Sequence, residues 1–500
     1  MIPSPSNRPQ PEPENPGSGP REGHHPLMEL RGWLARKHVP EHRHSLWYYF
    51  GGLTLFLLAL MVASGLLLTL YYEPSAAPAV TSDGTPLAAA RVLKGLDWGE
   101  HHYVAGDVIA LPLNARTGEI IVPAGMKGAV ETVKDGITGG VIRPSAAWVS
   151  VEGTIMRDVE FGPLVRSVHV YSANLLIATL LIHMFSAFFL RAYRRPRGLM
   201  WVTGFILLGL ILGFAFTGYL LPWNTLAYFA TRIGVSLPES SMPGIGPAAA
   251  NALRGGTDVG DATLTRMYSA HVVALPMAAI LFVILHLLFL QIFGLSIPIG
   301  ARRRGGRGLA ASLGGIAAAV LIAWPIAMGT FDPLAPPVLA AFVVLPVVIA
   351  YLLSGMAAPA VESPDGTSLG SIPFYSNFIY RDLLCWLVAF GIIVTLAIAV
   401  PWRGQNPGSM PVDLTRPLAT PPGIHPEWYF MFAFQLLRAV PGTLAVICLI
   451  LLGAGILAVP LLDRRAARGE RSTAMTVLGI AVAVGLAGLT VWGYLSLATG

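Results

Sequence analysis

Charged residues are scarce in this sequence of 500 residues: Asp, Glu, Lys and Arg make up 12%, and hydrophobic residues make up 54%. An ordinary soluble domain contains about 25% charged residues, because it must cover its surface with them. The composition therefore excludes a soluble enzyme. The net charge of +6 comes largely from arginine clusters beside apolar segments, which predicts membrane orientation rather than nucleic-acid binding.

Cysteine is nearly absent. Cys385 and Cys448 lie far apart in two apolar segments, so the chain has no disulfide framework, no C-x-x-C metal pair and no C-x-x-C-H motif for covalent haem. Any metal must be held by other side chains.

Long apolar segments dominate the rest of the sequence. A membrane-spanning helix needs about 20 mostly apolar residues, and nine segments have that length. They are residues 46–72, 165–190, 200–220, 266–293, 309–329, 337–356, 382–401, 441–462 and 474–496. The sequence predicts an all-α polytopic membrane protein with about nine transmembrane helices.

The short loops predict the orientation. Arginine clusters follow the second, fourth and eighth segments, at 191–197, 302–307 and 464–471. Such clusters mark cytoplasmic loops, so the N-terminus faces the cytoplasm. The first 28 residues, rich in Pro, Gly and Ser, are expected to be disordered.

One loop is unusually long. Residues 73–163 connect the first two segments on the positive side, and Asp107–Pro123 shows a hairpin pattern around Asn114–Gly118. The loop is either a small folded insert or an elaborated loop without chemistry, and the tolerance of long loops for insertions favours the second.

Four histidines lie inside predicted spans: His169 and His183 in the second, and His271 and His286 in the fourth. A single intramembrane histidine can be a hydrogen-bonded packing residue, but by default it suggests function. Separations of 14 and 15 residues keep each pair within about 60° of one helix face and about 21 Å apart along the axis. If the two helices are antiparallel neighbours, the four imidazoles form two stacked sites, one towards each membrane surface.

Two imidazoles without a carboxylate or thiolate suit a six-coordinate haem iron, whose other ligands come from the porphyrin. Gly51 and Gly65 in the first span, and Gly204 and Gly218 in the third, are also 14 residues apart. Glycine at this spacing can reflect ordinary helix packing, but it also lets a bulky planar ligand approach the helix backbone. The shared period predicts a four-helix bundle with two haems.

Six motifs resemble cytochrome b of the quinol-oxidising bc and b6f complexes. They are F-G-P-L-V-R-S-V-H (161–169), P-R-G-L-M-W-V-T-G (196–204), G-Y-L-L-P-W (218–223), T-L-T-R-M-Y-S-A-H (263–271), F-Y-S-N-F-I-Y-R-D (374–382) and P-E-W-Y (426–429). The resemblance is to a b6-like half joined to a subunit-IV-like half.

The resemblance implies two non-covalent b-type haems. His169 and His271 hold the low-potential haem near the positive side, and His183 and His286 hold the high-potential haem near the cytoplasmic side. The resemblance also places Arg166 beside a haem propionate, a charge-assisted pairing available to a guanidinium.

The resemblance also implies two quinone sites. Glu427 in P-E-W-Y is the proton acceptor for quinol oxidation at the positive-side membrane edge, where a half-buried carboxylate suits that task, with Tyr219 on the facing wall. Asp382 is the acidic residue of the cytoplasmic quinone site. Gln291 stands where relatives have His or Arg.

Four regions follow from these assignments. They are a cytoplasmic tail (1–44), a dihaem N-terminal domain (45–300) with an insert at 82–145, two extra transmembrane helices (301–360), and a C-terminal domain (361–500). The resemblance further implies a dimeric, proton-translocating quinol–cytochrome c oxidoreductase in a bacterial-type inner membrane. Its partners are a Rieske-type iron–sulfur protein, a c-type cytochrome, quinone and lipid, without nucleic acid.

Two other functions fit some of these features. A dihaem membrane anchor of a quinone-linked dehydrogenase needs the histidines but not P-E-W-Y. An ion transporter uses intramembrane histidines for ions or protons, but the sequence shows no inverted repeat.

Overall fold

The computed structural model describes residues 37–42, 44–241, 244–299, 360–362, 368–402, 410–416, 418, 420 and 424–498. Two predictions lie outside these residues: the disordered start at 1–28 and the pair of apolar segments at 309–329 and 337–356.

The described chain is mainly helical. In chain order the helices are α1 (Tyr49–Thr69), α2 (Ala146–Val149), α3 (Gly162–Phe189), α4 (Gly198–Leu220), α5 (Thr225–Ser241), α6 (Gly246–Arg254), α7 (Asp261–Ser269), α8 (Leu275–Phe293), α9 (Ile379–Ala399), α10 (Trp428–Ala439), α11 (Gly442–Leu457), α12 (Val459–Leu462), α13 (Arg464–Ala467) and α14 (Thr473–Ala498). Wider π-helical turns occur at Ser150–Asp158, Ala270–Ala274 and Phe374–Phe378.

Six helical segments among the described residues are long and apolar enough to cross a membrane, and Gly442–Leu457 is a shorter apolar helix. The six are Ser45–Thr69, Gly162–Phe189, Gly198–Leu220, Asp261–Phe293, Ile379–Ala399 and Thr473–Leu497. The prediction of a polytopic α-helical membrane protein is confirmed.

Helix packing builds a bundle from the N-terminal half. Helix α1 packs along α3, and α4 packs along α8. Helix α9 joins the first pair by contacting both α1 and α3, and α14 packs on α10. The interior cluster includes Phe50, Leu57, Ile177 and Ile393, each at most 1% exposed. Inside a membrane such side chains stabilise the bundle through close van der Waals packing between helices.

The strands form three small sheets. They are β1 (His38–Glu41), β2 (Leu87–Val92), β3 (Leu96–Trp98), β4 (His101–Tyr103), β5 (Val108–Pro112), β6 (Val130–Thr132), β7 (Ala360–Glu362) and β8 (Ser368–Pro373). Their orders are β1-β8-β7, β5-β2-β6 and β3-β4, with every pairing antiparallel.

The insert between α1 and α3 is folded. Strand β2 lies between β5 and β6, and Ala90 and Met126, both fully buried, belong to one apolar cluster beneath the sheet. The predicted turn forms, since the Gly118 amide donates to the Asn114 carbonyl at 2.8 Å. The predicted hairpin forms over a short length, since the Ile121 amide donates to the Pro112 carbonyl at 2.7 Å next to the Leu113–Ile120 bridge. Strand β5 also pairs with the buried strand β2.

The arginine-rich loop after α3 contacts two other parts of the bundle. Arg197 Nη2 donates to the carbonyl of Phe293 at 3.0 Å, and Arg191 Nη2 donates to that of Ser472, directly before α14, at 2.8 Å. Phe293 is the last residue of α8, where carbonyl oxygens left without intrahelical partners suit such donors. The loop after α3 is therefore tied to the end of α8 and to the start of α14. The arginine cluster at 302–307 lies outside the described residues.

Candidate functional site

His169 on α3 and His271 in the turn before α8 face each other. Their ring centres are 6.4 Å apart, with an angle of 63° between the ring planes. Two imidazoles that bind one metal ion from opposite sides, through bonds of about 2.0–2.1 Å, hold their ring centres about 6–6.5 Å apart. The pair is therefore spaced for a shared metal ion.

The Nδ1 atoms of these rings have hydroxyl partners. Ser64 Oγ lies 3.0 Å from His169 Nδ1, and Thr217 Oγ1 lies 3.1 Å from His271 Nδ1. Each hydroxyl donates its own proton to the carbonyl four residues earlier, that of Leu60 or Gly213, so its oxygen can accept from Nδ1–H. This arrangement protonates Nδ1 and leaves Nε2 free as a metal ligand.

His286 and His183 form the second site. Thr203 Oγ1 lies 3.0 Å from His286 Nδ1, which repeats the arrangement seen at His271. His183 Nδ1 is buried and has no hydrogen-bond partner among the described residues. His183 contacts Gly51 on α1, and His286 contacts Gly204 on α4.

All four predicted glycines contact the histidines. A Cβ atom would lie 3.1 Å from Cε1 of His183 at Gly51, 3.2 Å from that of His169 at Gly65 and 3.1 Å from that of His286 at Gly204. At Gly218 it would lie only 2.5 Å from Cε1 of His271. The space beside these glycines therefore holds an imidazole edge, so they admit the ligand side chains to positions against the neighbouring helix.

The pairing corrects one assumption about direction. His169 and His271 are each the first histidine of their span, so their contact requires the two spans to run in the same direction. The assumed antiparallel arrangement was wrong, because the intervening span α4 reverses the chain before α7 and α8 reverse it again.

These residues fit a haem. Within the described ranges, no three His, Cys, Asp or Glu side chains come together as a metal site. Each histidine pair would therefore offer a metal ion two imidazole nitrogens, and a porphyrin would supply its other ligands.

Glu427 lies directly before α10, at the end of the bundle that holds His169. Trp428 Nε1 donates to Asn174 Oδ1 at 3.0 Å, and Ser167 Oγ accepts from the Trp402 amide at 2.8 Å. Both partners belong to α3, two to five residues from His169. The Trp428–Asn174 hydrogen bond therefore ties the P-E-W-Y motif to α3, five residues from His169.

Three phenol groups surround the Glu427 carboxylate. Tyr219, Tyr429 and Tyr494 each interact with it electrostatically, and the Tyr219 hydroxyl is buried without a partner among the described groups. Burial raises the pKa of Glu427 to about 7. Tyr494 was missed by the sequence analysis, because nothing in the last helix marks which residue faces the motif.

Arg166 and Asp382 also lie close to the histidine pairs. Arg166, three residues before His169, donates from Nη2 to Glu152 Oε1 at 2.9 Å, and its Nη1 is buried without a partner among the described residues. The Asp382 carboxylate fills the space that a Cβ on Gly52 would need. Gly52 follows Gly51, which contacts His183, so Asp382 packs against α1 at the same level along the helix as His183.

Two family models and several known proteins are similar to this chain. The family model "Cytochrome b/b6/petB" matches residues 143–294, and "Cytochrome b(C-terminal)/b6/petD" matches residues 414–499. The cytochrome bc complex cytochrome b subunit of Chlorobaculum thiosulfatiphilum is 33% identical over 463 residues, which cover 91% of this chain and 75% of that protein. Cytochrome b6 of Gracilaria tenuistipitata var. liui is 42% identical over 159 residues, 31% of this chain and 73% of that protein.

A solved chain titled "Hyperthermophilic respiratory Complex III" has the same fold, with a TM-score of 0.57 and 20% identity over 95% of this chain and 96% of the other. The two family models describe parts that lie in one polypeptide here. The chain belongs to the cytochrome b family of haem-binding electron-transport membrane proteins, with a b6-like region and a petD-like region joined in a single chain.

Proposed function

We propose that this chain is the cytochrome b subunit of a proton-translocating quinol–cytochrome c oxidoreductase. The observation that supports this most is the hydrogen bond from Trp428, the residue after Glu427, to Asn174 on α3, five residues from His169. A dihaem anchor needs the histidine pairs alone, whereas quinol oxidation also needs a proton acceptor next to an electron acceptor.

Two non-covalent b-type haems are proposed, one at His169 and His271 and one at His183 and His286. When bound, each haem supplies a one-electron carrier. The chain's own contribution is to present Nε2 of each imidazole and to keep Nδ1 protonated through the hydroxyls of Ser64, Thr217 and Thr203. The four glycines let these rings pack against the neighbouring helices.

Glu427 is proposed to take a proton from a quinol hydroxyl. A general base works best when its pKa is near the operating pH, and the pKa of about 7 that burial gives this carboxylate meets that condition. The buried Tyr219 hydroxyl, which has no partner among the described groups, is available to orient the bound quinol.

Asp382 is proposed to serve quinone reduction on the cytoplasmic side. Its Oδ1 atom is buried without a partner among the described residues, and its contact with Gly52, the residue after the Gly51 that His183 contacts, supports this assignment. The chain then holds one proton-exchanging carboxyl group at each end of the histidine stack. Opposite placement of the two is what proton translocation requires.

Other subunits are needed to complete the reaction. The two cysteines lie on different helices, α9 and α11, and so do not supply an iron–sulfur cluster, which takes several cysteines. We therefore propose a Rieske-type iron–sulfur protein and a c-type cytochrome as partners, in a dimeric complex. The relative's name, which refers to a cytochrome bc complex, supports this assignment. The proposed location is a bacterial-type inner membrane with a cytoplasmic N-terminus.

The test is quinol-driven haem reduction in Glu427→Gln, with the cytoplasmic quinone site inhibited. Gln keeps the shape of the side chain but cannot take up a proton, so the rate should fall by roughly 10²–10⁴-fold while haem content stays normal. Glu427→Asp is the matched control, since it keeps a carboxylate and should retain more activity. An unchanged rate in Glu427→Gln would remove this residue from the reaction and favour the dihaem anchor.

A further inference from the structure

Glu152 and Arg166 form an ion pair inside the protein near the first histidine pair. The side chains are 15% and 8% exposed, and Nη2 of Arg166 lies 2.9 Å from Oε1 of Glu152. Arg166 is three residues before His169, about one helical turn away. The pair therefore lies close to the proposed positive-side haem.

Among the described residues, the buried Nη1 atom of the Arg166 guanidinium lacks a hydrogen-bond acceptor, whereas Nη2 has one. Glu152 accepts from Nη2. A buried charged donor without an acceptor is costly. Nη1 is therefore available for an anionic group that is not part of this chain, such as a carboxylate substituent of the haem.

The folded insert fixes the segment that contains Glu152. In the same π-helical segment, Arg157 pairs with Asp107 at 3.5 Å and lies over the ring of Tyr103 at 4.7 Å. The Glu73 amide donates to Ser150 Oγ at 3.2 Å. These contacts tie both ends of the segment to its surroundings, so the Glu152 carboxylate has a fixed position.

We propose that Glu152 is a positioning residue that holds Arg166 with Nη1 free for a haem carboxylate and lowers the reduction potential of the haem at His169 and His271. This inference rests on the proposed haem site. A nearby positive charge favours the reduced form of an iron centre, which has one positive charge fewer than the oxidised form. Glu152 offsets the charge of Arg166, and such effects are strong where water is excluded.

The test is a redox titration of Glu152→Gln. Gln can still accept a hydrogen bond from Arg166, so the geometry is kept and only the negative charge is lost. The equilibrium constant for reduction of the positive-side haem should rise by about tenfold, which corresponds to about 59 mV for one electron. The haem at His183 and His286 serves as an internal control and should not shift.

Glu160→Gln is the matched control, because Glu160 is an exposed acid in the same stretch of chain. Its loss should leave both potentials unchanged. Glu152→Thr is a second variant that removes the negative charge. The reduction potential of the positive-side haem should rise in it too, which keeps the test available if Glu152→Gln does not assemble. Normal haem content with an unchanged positive-side potential in either Glu152 variant would overturn the inference. A wild-type protein without two haems would instead refute the proposed haem sites.

Discussion

Replacing Gly218 by alanine should remove the positive-side haem selectively. The added Cβ would lie 2.5 Å from Cε1, 3.0 Å from Nδ1 and 3.2 Å from Nε2 of His271. Non-bonded carbon atoms prefer separations of about 3.5–4.0 Å, so the imidazole or the helix must move by about 1 Å. Metal sites depend on ligand distances held within about 0.2 Å. A displacement of this size should therefore break the coordination.

The same helix provides graded controls. A Cβ on Gly209 would meet no atom within 4 Å, and alanine is favoured over glycine in a helix by about 1 kcal/mol. Gly209→Ala should therefore be neutral or stabilising. Gly204→Ala, with its Cβ 3.1 Å from Cε1 of His286, requires a shift of a few tenths of an ångström and should perturb the other haem without removing it.

The assay is the ratio of haem to protein together with the reduced-minus-oxidised spectrum. Gly218→Ala should retain about half of the wild-type haem and lose one of two spectral components, whereas Gly209→Ala should retain all of it. Full haem content with an unchanged spectrum in Gly218→Ala would refute the idea that this glycine exists to admit the His271 ring.

Three further predictions concern the other groups of the site. His286→Leu should remove one haem and leave the haem at His169, which haem quantification and redox titration would show; loss of both would refute independent sites. Thr217→Val removes the hydroxyl partner of His271 Nδ1 and so lowers the basicity of the imidazole. The reduction potential of that haem should rise by a few tens of mV, up to about 59 mV for a tenfold change in the equilibrium constant for reduction. Thr217→Ser keeps a hydroxyl group and should leave the potential unchanged. Quinol oxidation should fall about tenfold per pH unit below the Glu427 pKa of about 7, because the carboxylate form is the acceptor, and should level off above it; a flat profile from pH 5 to 7 would contradict that role.

The histidine and glycine positions could be predicted because each is visible in one helix at a time. Apolar length defines a span, and a separation of 14 residues returns to nearly the same face. The role of the glycines could not be predicted in this way. Whether Gly218 faces a cofactor or an imidazole depends on the pairing of α4 with α8, which no single-helix pattern contains.

The hydroxyl partners of the histidines could have been predicted from the residue before each glycine. Ser64, Thr203 and Thr217 each directly precede one of the glycines that contact a histidine. The fourth glycine, Gly51, follows Phe50 instead, and His183 Nδ1 has no partner among the described residues. A Ser or Thr directly before the glycine therefore identifies three of the hydroxyl groups that contact a histidine Nδ1 atom.

The insert shows why the remaining details could not be predicted. Strand β5 had an evident turn after it, but its main partner, β2, lies about 20 residues earlier. Strand pairing over such distances depends on which apolar strand is available for burial. The pairing of Glu152 with Arg166 likewise depends on how the insert holds the segment before α3.

The presence of two haem sites can be tested by a potentiometric titration of the purified protein, followed at the haem α-band. We expect two one-electron transitions and two haems per chain, all extracted by acidified acetone because neither cysteine lies in an attachment motif. A colourless protein, or a single transition with one haem per chain, would contradict it.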